Sequence, residues 1–197
     1  MKKKSFAAIF LLCSLAATVA FVAALTLFLC VKETWTLTVL LTATVIFYHF
    51  VMRLFVGYVV EKAFFSRLKA DAWWFREKPC EQKIYRALRL RKWKGNLPTY
   101  SPEKFDFRTL SIKQLIANTL QAEAVHETIA ALSFLPLGLY FITWDAVDFW
   151  VYLLTSLVAA AVDTLFVLLQ RYNRFRLLRL QKLEEEKENK GHTVIEE

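Results

Sequence analysis

Four long apolar runs alternate with charged stretches along this chain. Residues 5–31, SFAAIFLLCSLAATVAFVAALTLFLCV, hold 27 positions without a charge. As a helix rising 1.5 Å per residue the run reaches about 40 Å, more than the ~30 Å hydrocarbon core of a bilayer. Three lysines precede it, as they would in a signal peptide. The apolar part of a signal peptide is only about 7–15 residues long, so the run predicts an uncleaved anchor. A second run, 35–60, is interrupted by His49 and Arg53. The third, 128–144, spans 17 residues, and the fourth, 149–169, carries Asp163. The pattern predicts an all-α membrane protein: one membrane domain with four transmembrane helices. The segment 61–127 between spans two and three and the tail 170–197 then lie outside the hydrocarbon.

Within 61–117, bulky aromatics alternate with Lys and Arg. A basic face beside Trp73, Trp74, Phe75 and Trp93 fits a helical segment in the headgroup layer, or no more than a juxtamembrane anchor. Between Pro79 and Gly95, Ile84, Leu88 and Lys92 share a stripe and predict one helix, which Gly95, Asn96 and Pro98 end. The chain is 56% hydrophobic and 15% aromatic with mean hydropathy +0.34, too apolar for an ordinary soluble domain. Of its 26 Lys and Arg, 24 lie in the N-terminal tail, in 61–117 or after Leu169. The positive-inside rule therefore predicts a multi-pass protein of the cell membrane with both termini and the central segment cytoplasmic. That placement accounts for the net charge of +8 without nucleic acid, and the basic surface would attract anionic lipid headgroups. Cys13, Cys30 and Cys80, odd in number and without CxxC spacing, imply neither a disulfide framework nor a metal site. They are expected to be buried, apolar cysteines. The tail from Gln181, rich in Glu and Lys, is expected to be a frayed, solvated extension of the last helix.

Polar groups inside apolar runs carry the candidate chemistry. His49 and Arg53 are four apart and share a helix face. A charge at mid-bilayer costs about 2.5–3.5 kcal/mol on insertion scales, so Arg53 needs a partner. Arg53 and Asp163 each lie seven residues, about 10 Å, from the expected boundary of their spans. They are expected to pair, with His49 adjoining, either as a staple between helices or as part of a site. Glu123 and His126, i and i+3, sit just before the third apolar run, at the membrane rim. There a carboxylate could hold one imidazole tautomer and prepare a general base, or the two could form a solvated face. Arg171, Asn173, Arg174, Arg176 and Arg179 leave span four at the same level, suited to an anionic or carbonyl-bearing headgroup, though the helix dipole also favours cations there.

Three stretches together resemble the glycosyl-4,4'-diaponeurosporenoate acyltransferases of carotenoid biosynthesis. LRLRKWKGNLP (88–98) is similar to the family's basic-Trp-Lys segment, which includes Trp93 and Lys94. NTLQAEAVHE (118–127) matches its Ala-Glu-x-x-His core at Ala122, Glu123 and His126, and QRYNRFRL (170–177) matches its Gln-Arg-Tyr-Asn-Arg motif. The resemblance covers about 73–182. This chain departs from it at Asn118 and Gln121, an amide pair where relatives show charges, and at Glu127, Asp163 and Phe175. The resemblance implies acyl transfer to a sugar hydroxyl of a glycosylated polyisoprenoid or related glycolipid, with His126 and Glu123 catalytic. It implies binding roles for Arg171, Asn173, Arg174, Gln121, Trp93 and Lys94. The expected partners are membrane lipid, a glycosylated acceptor and an acyl donor, acyl-CoA or acyl carrier protein, used as co-substrate rather than resident cofactor. No GxSxG elbow occurs, and Ala131 stands five residues after His126 where a glycerolipid His-x4-Asp motif needs Asp, so direct transfer is expected. A different class of reading is a non-catalytic membrane protein that binds lipid or scaffolds a biosynthetic complex. A transporter fits less well, because four spans with one ionisable cluster offer little pathway unless the chain dimerises. Convergence of Glu123, His126, Arg171 and Asn173 on one place would favour catalysis.

Overall fold

A computed structural model describes residues 6–64, 68–70, 72–93, 97, 99–143 and 146–193. Helix α1 (Ala7–Val31) ends where Lys32 enters the left-handed region at φ 55°, its amide bonding back to Phe28. The chain turns at once into α2 (Thr34–Val59), extended by a π-helical turn at Val60–Phe64. Among its described residues the central segment holds short pieces: a 3-10 turn at Trp73–Phe75, α3 (Glu81–Ala87), α4 (Leu90–Trp93) and a 3-10 turn at Pro102–Phe105. Then come α5 (Ile112–Leu132), a 3-10 stretch at Leu135–Leu139, α6 (Tyr140–Thr143) and α7 (Ala146–Thr193). Four helices are long and apolar enough to cross a membrane, and no strand occurs among the described residues.

Two helices depart from the sequence expectation. The third membrane helix starts 16 residues earlier than Thr128, because Ser111 and Gln114 form a reciprocal capping box that satisfies the first free amides of α5. It also stops early. Ser133 turns its hydroxyl back to the carbonyl of Ile129, and Pro136, with no N–H to give, opens a 3-10 stretch. His126 therefore sits in the body of a 21-residue helix rather than on the turn before one. The single helix expected over 79–95 is two, α3 and α4, broken where Arg89 takes φ 49°. The cysteines are corrected as well: all three are free and exposed, Cys13 and Cys30 on the surface of α1. The tail does continue as helix to Thr193.

Contacts fix the topology. On α5 and α7, Leu115 and Ile116 meet Leu177, Glu123 meets Arg171, and His126 meets Asp163, so the two helices run antiparallel. Fully buried Ser133, which caps α5, and Ser156 on α7 are small side chains that allow close approach. Helix α2 also runs antiparallel to α5: Tyr48 donates to the Leu132 carbonyl at 2.7 Å, while Met52, Val56 and Val60 pack around Ile129. Helix α1 touches α2 through Phe10 on Phe50 and Phe21 stacked on Phe47. One end of this up-down bundle thus gathers the start of α1, the end of α2, the described part of the central segment and the outgoing half of α7. The Phe6 amide ties that end together by donating to Thr99.

Candidate functional site

The α5–α7 seam carries two charge clusters. In the first, Glu123 is fully buried and accepts from Nε of Arg171 at 2.5 Å and from Nη1 of Arg174. Arg171 spends its other nitrogens on Glu81 of α3, at 2.6 Å, and on the carbonyl of Trp74. Arg174, also fully buried, donates to the carbonyl of Phe75 at 2.8 Å and faces the Phe75 and Phe175 rings. Tyr85 donates to the second Glu81 oxygen at 2.9 Å, and burial, reinforced by that hydrogen bond, pushes its phenol well above the ordinary value. Two carboxylates thus face two guanidiniums in a place closed to water. Only Nε of Arg174 is without a partner among the described residues.

The second cluster lies eight residues back along α7, about 12 Å toward the bundle interior. Asp163 is buried between a guanidinium and an imidazole: Arg53 donates to Oδ2 at 2.6 Å, and Nδ1 of His126 stands 2.9 Å from Oδ1. The second Arg53 nitrogen donates to the carbonyl of His49, one helical turn before it. The His126 ring lies flat on Phe166, centroids 4.8 Å apart. A carboxylate at Nδ1 holds the neutral imidazole in the tautomer with its proton there, leaving Nε2 with a lone pair. No described residue hydrogen-bonds Nε2, and the His126 side chain remains 25% exposed. His49 is half-buried nearby, with both ring nitrogens buried and without a hydrogen-bond partner among the described residues.

This geometry revises the expected pairings. Glu123 does not orient His126; α7 brings two arginines to the carboxylate, and Asp163 takes the imidazole instead. Arg53 and Asp163 do meet across α2 and α7. Arg171 and Arg174, expected to hold a headgroup, have all their donors but Nε of Arg174 committed inside the protein. Asn173 lies half-buried between them in sequence, and Gln121 is buried on α5. The amide pair is not formed as such, because Asn118 donates to the Lys104 carbonyl at 2.7 Å. Glu127 accepts from the Trp74 indole at 2.9 Å, and Phe175 packs with Tyr85 and Leu90 in a small core. The backbone of Trp93 closes α4, while its side chain and all of Lys94 lie outside the described residues. Sequence reasoning missed Glu81, Tyr85 and the stacking role of Phe166. Phe166, three residues after Asp163, shares its helix face and could have been found by that spacing. Glu81 had no such signal, being one carboxylate in a basic stretch.

The family model described as glycosyl-4,4'-diaponeurosporenoate acyltransferase (CrtO) matches residues 71–183. The chain belongs to this family. It is therefore an acyltransferase, of a family whose activity implies a glycosylated acceptor and an acyl donor. No curated protein and no solved structure matches it. The matched region takes in α3, α5, most of α7 and both charge clusters except His49 and Arg53, which α2 contributes from outside it.

Proposed function

We propose that this acyltransferase esterifies a sugar hydroxyl of a glycosylated polyisoprenoid or related glycolipid inside the membrane, with His126 as general base. The observation that supports this reading is the His126 to Asp163 contact at 2.9 Å with the opposite ring nitrogen unbonded. Nε2 takes the proton of the acceptor hydroxyl as its oxygen attacks the thioester carbonyl; the carbon–sulfur bond then breaks, and the departing thiolate recovers the proton. Asp163 fixes the tautomer and steadies the imidazolium, and Arg53, 2.6 Å from the other carboxylate oxygen, holds Asp163 in place. Phe166 holds the ring plane. Unpartnered His49 offers a second polar contact to a sugar entering the cluster. Transfer is direct, without a covalent acyl-enzyme, from acyl-CoA or an acyl carrier protein. The basic end of the bundle faces the cytoplasm, so the donor arrives there and the acceptor enters from the leaflet.

The test is His126→Ala in cells that make the acceptor, read by mass spectrometry of the glycolipids. The variant accumulates in the membrane at the wild-type level and yields no acylated product. Normal acylation by that variant removes the base from the mechanism.

A further inference from the structure

With Arg171 and Arg174 turned inward, the arginines α7 leaves for an outside ligand are Arg176 and Arg179. Both are exposed, and they face a different partner from the α5 seam. A crevice of about 220 Å³ opens there, lined by Gln82, Tyr85, Tyr172, Phe175, Arg176 and Arg179. The Arg176 guanidinium lies over the Tyr172 ring, 5.7 Å from its centroid, and has no carboxylate partner among the described residues. Arg179 has a loose one, Glu77 at 3.3 Å. Glu81, the other acid nearby, is turned away into Arg171 and Tyr85. Lys83 and Arg86 on α3 add exposed positive charge beside the opening.

What lies below the crevice on the same face identifies the kind of ligand. Leu154, Val158, Leu165, Tyr172, Arg176 and Arg179 recur at steps of four, seven, seven, four and three, and so form one stripe along α7. Its first three members are exposed apolar side chains within the membrane span. The stripe thus passes from bare hydrocarbon through an aromatic ring to two arginines. Arg176 is seven residues past the end of the apolar run, about 10 Å along the helix, and its long stem can turn back toward the interface. The headgroup layer begins at that level.

We infer that this crevice holds the phosphate of one anionic phospholipid whose acyl chains lie along the Leu154–Leu165 face of α7. The aliphatic stripe covers the chains, Arg176 and Arg179 pair with the phosphate, and Tyr172 and Gln82 flank the head. The assignment does not depend on the acyl-transfer reaction, because it is read by binding alone.

Full-length protein in an uncharged detergent, titrated with phosphatidylglycerol and followed by native mass spectrometry, takes up one lipid per chain at saturation. Arg176→Gln weakens that step about fivefold, and Arg176→Gln with Arg179→Gln weakens it further, by the contribution expected of each arginine near a lipid phosphate. Glu77→Gln tightens it by freeing Arg179. These side chains are exposed, so the variants melt with the wild type in lipid-free detergent. Phosphatidylcholine binds more weakly and does not respond to the substitutions, and coenzyme A, a soluble phosphate carrier, does not compete. Equal phosphatidylglycerol affinity in wild type and double variant overturns the assignment. So does coenzyme A binding with the same arginine dependence, which would make the crevice a site for a soluble ligand. His126→Ala keeps the lipid step, so a failed acyltransferase reading and a failed lipid site are told apart.

Discussion

The two charge clusters on the α5–α7 seam use the same residue types and do opposite things. Around Glu123, each carboxylate oxygen meets an arginine nitrogen, and nearly all of the remaining arginine donors end on Glu81 or on backbone carbonyls. That arrangement is closed and leaves only Nε of Arg174 over, which suits holding α3, α5 and α7 and the Trp73–Phe75 turn in register. Around Asp163 the ledger is open. The carboxylate is satisfied by Arg53 and His126, but His126 keeps a free nitrogen and His49 keeps two. A charge network that satisfies itself specifies structure; one that orients an unspent lone pair can do chemistry.

Breaking the closed cluster gives the largest effect. Glu123→Leu leaves Arg174 without a carboxylate in a dry interior and Arg171 with Glu81, and breaking a buried pair in this way costs about 3–5 kcal/mol. The protein is expected to fall sharply in membrane yield and melting temperature, and adding Arg174→Met restores part of both. Full yield from Glu123→Leu alone would show that the cluster is wet. In the open cluster the order reverses, with activity lost before stability. Asp163→Asn leaves His126 without its orienting carboxylate, and kcat falls by about 10²–10⁴ with little change in KM, the range for general-base catalysis. Arg53→Leu, in a background that leaves an unpaired carboxylate in the span, lowers thermal stability, and adding Asp163→Leu recovers part of the loss. Absence of recovery would argue against a direct energetic coupling between the two.

The bundle was legible because its signals are long: 27 uncharged residues, or a Lys and Arg count confined to one end, survive any local error. Arg53 and Asp163 were legible for a related reason, since a bilayer penalises unpaired charge and their distances from the boundary matched. The partner of His126 was not. Glu123 at i−3 is the nearest carboxylate along the chain, and helix spacing alone favours it. Only the antiparallel register of α5 on α7 shows that Arg171 and Arg174 outcompete the imidazole for that carboxylate. The break at Arg89 and the early start of α5 were missed for opposite reasons. A left-handed residue in a basic stretch has no composition signal, whereas the Ser111–Gln114 capping box was present and outweighed by the apolar run beyond it.

The smallest expected effect sharpens the boundary between the clusters. Glu127 follows His126 on α5 yet contacts the closed cluster, accepting from the Trp74 indole at 2.9 Å, 3.9 Å from Arg171, and 26% exposed on its side chain. At that distance and exposure its ion pair is worth under about 1 kcal/mol. Glu127→Gln keeps an acceptor for the indole, so it is expected to shift the melting temperature slightly and leave kcat unchanged, with Glu127→Ala shifting it more. That pattern attaches Glu127 to the closed cluster as an outer support for Trp74. A fall in kcat without a change in melting temperature would attach it to the open one. The working site would then extend from His126 toward the Trp73–Phe75 turn instead of toward α2.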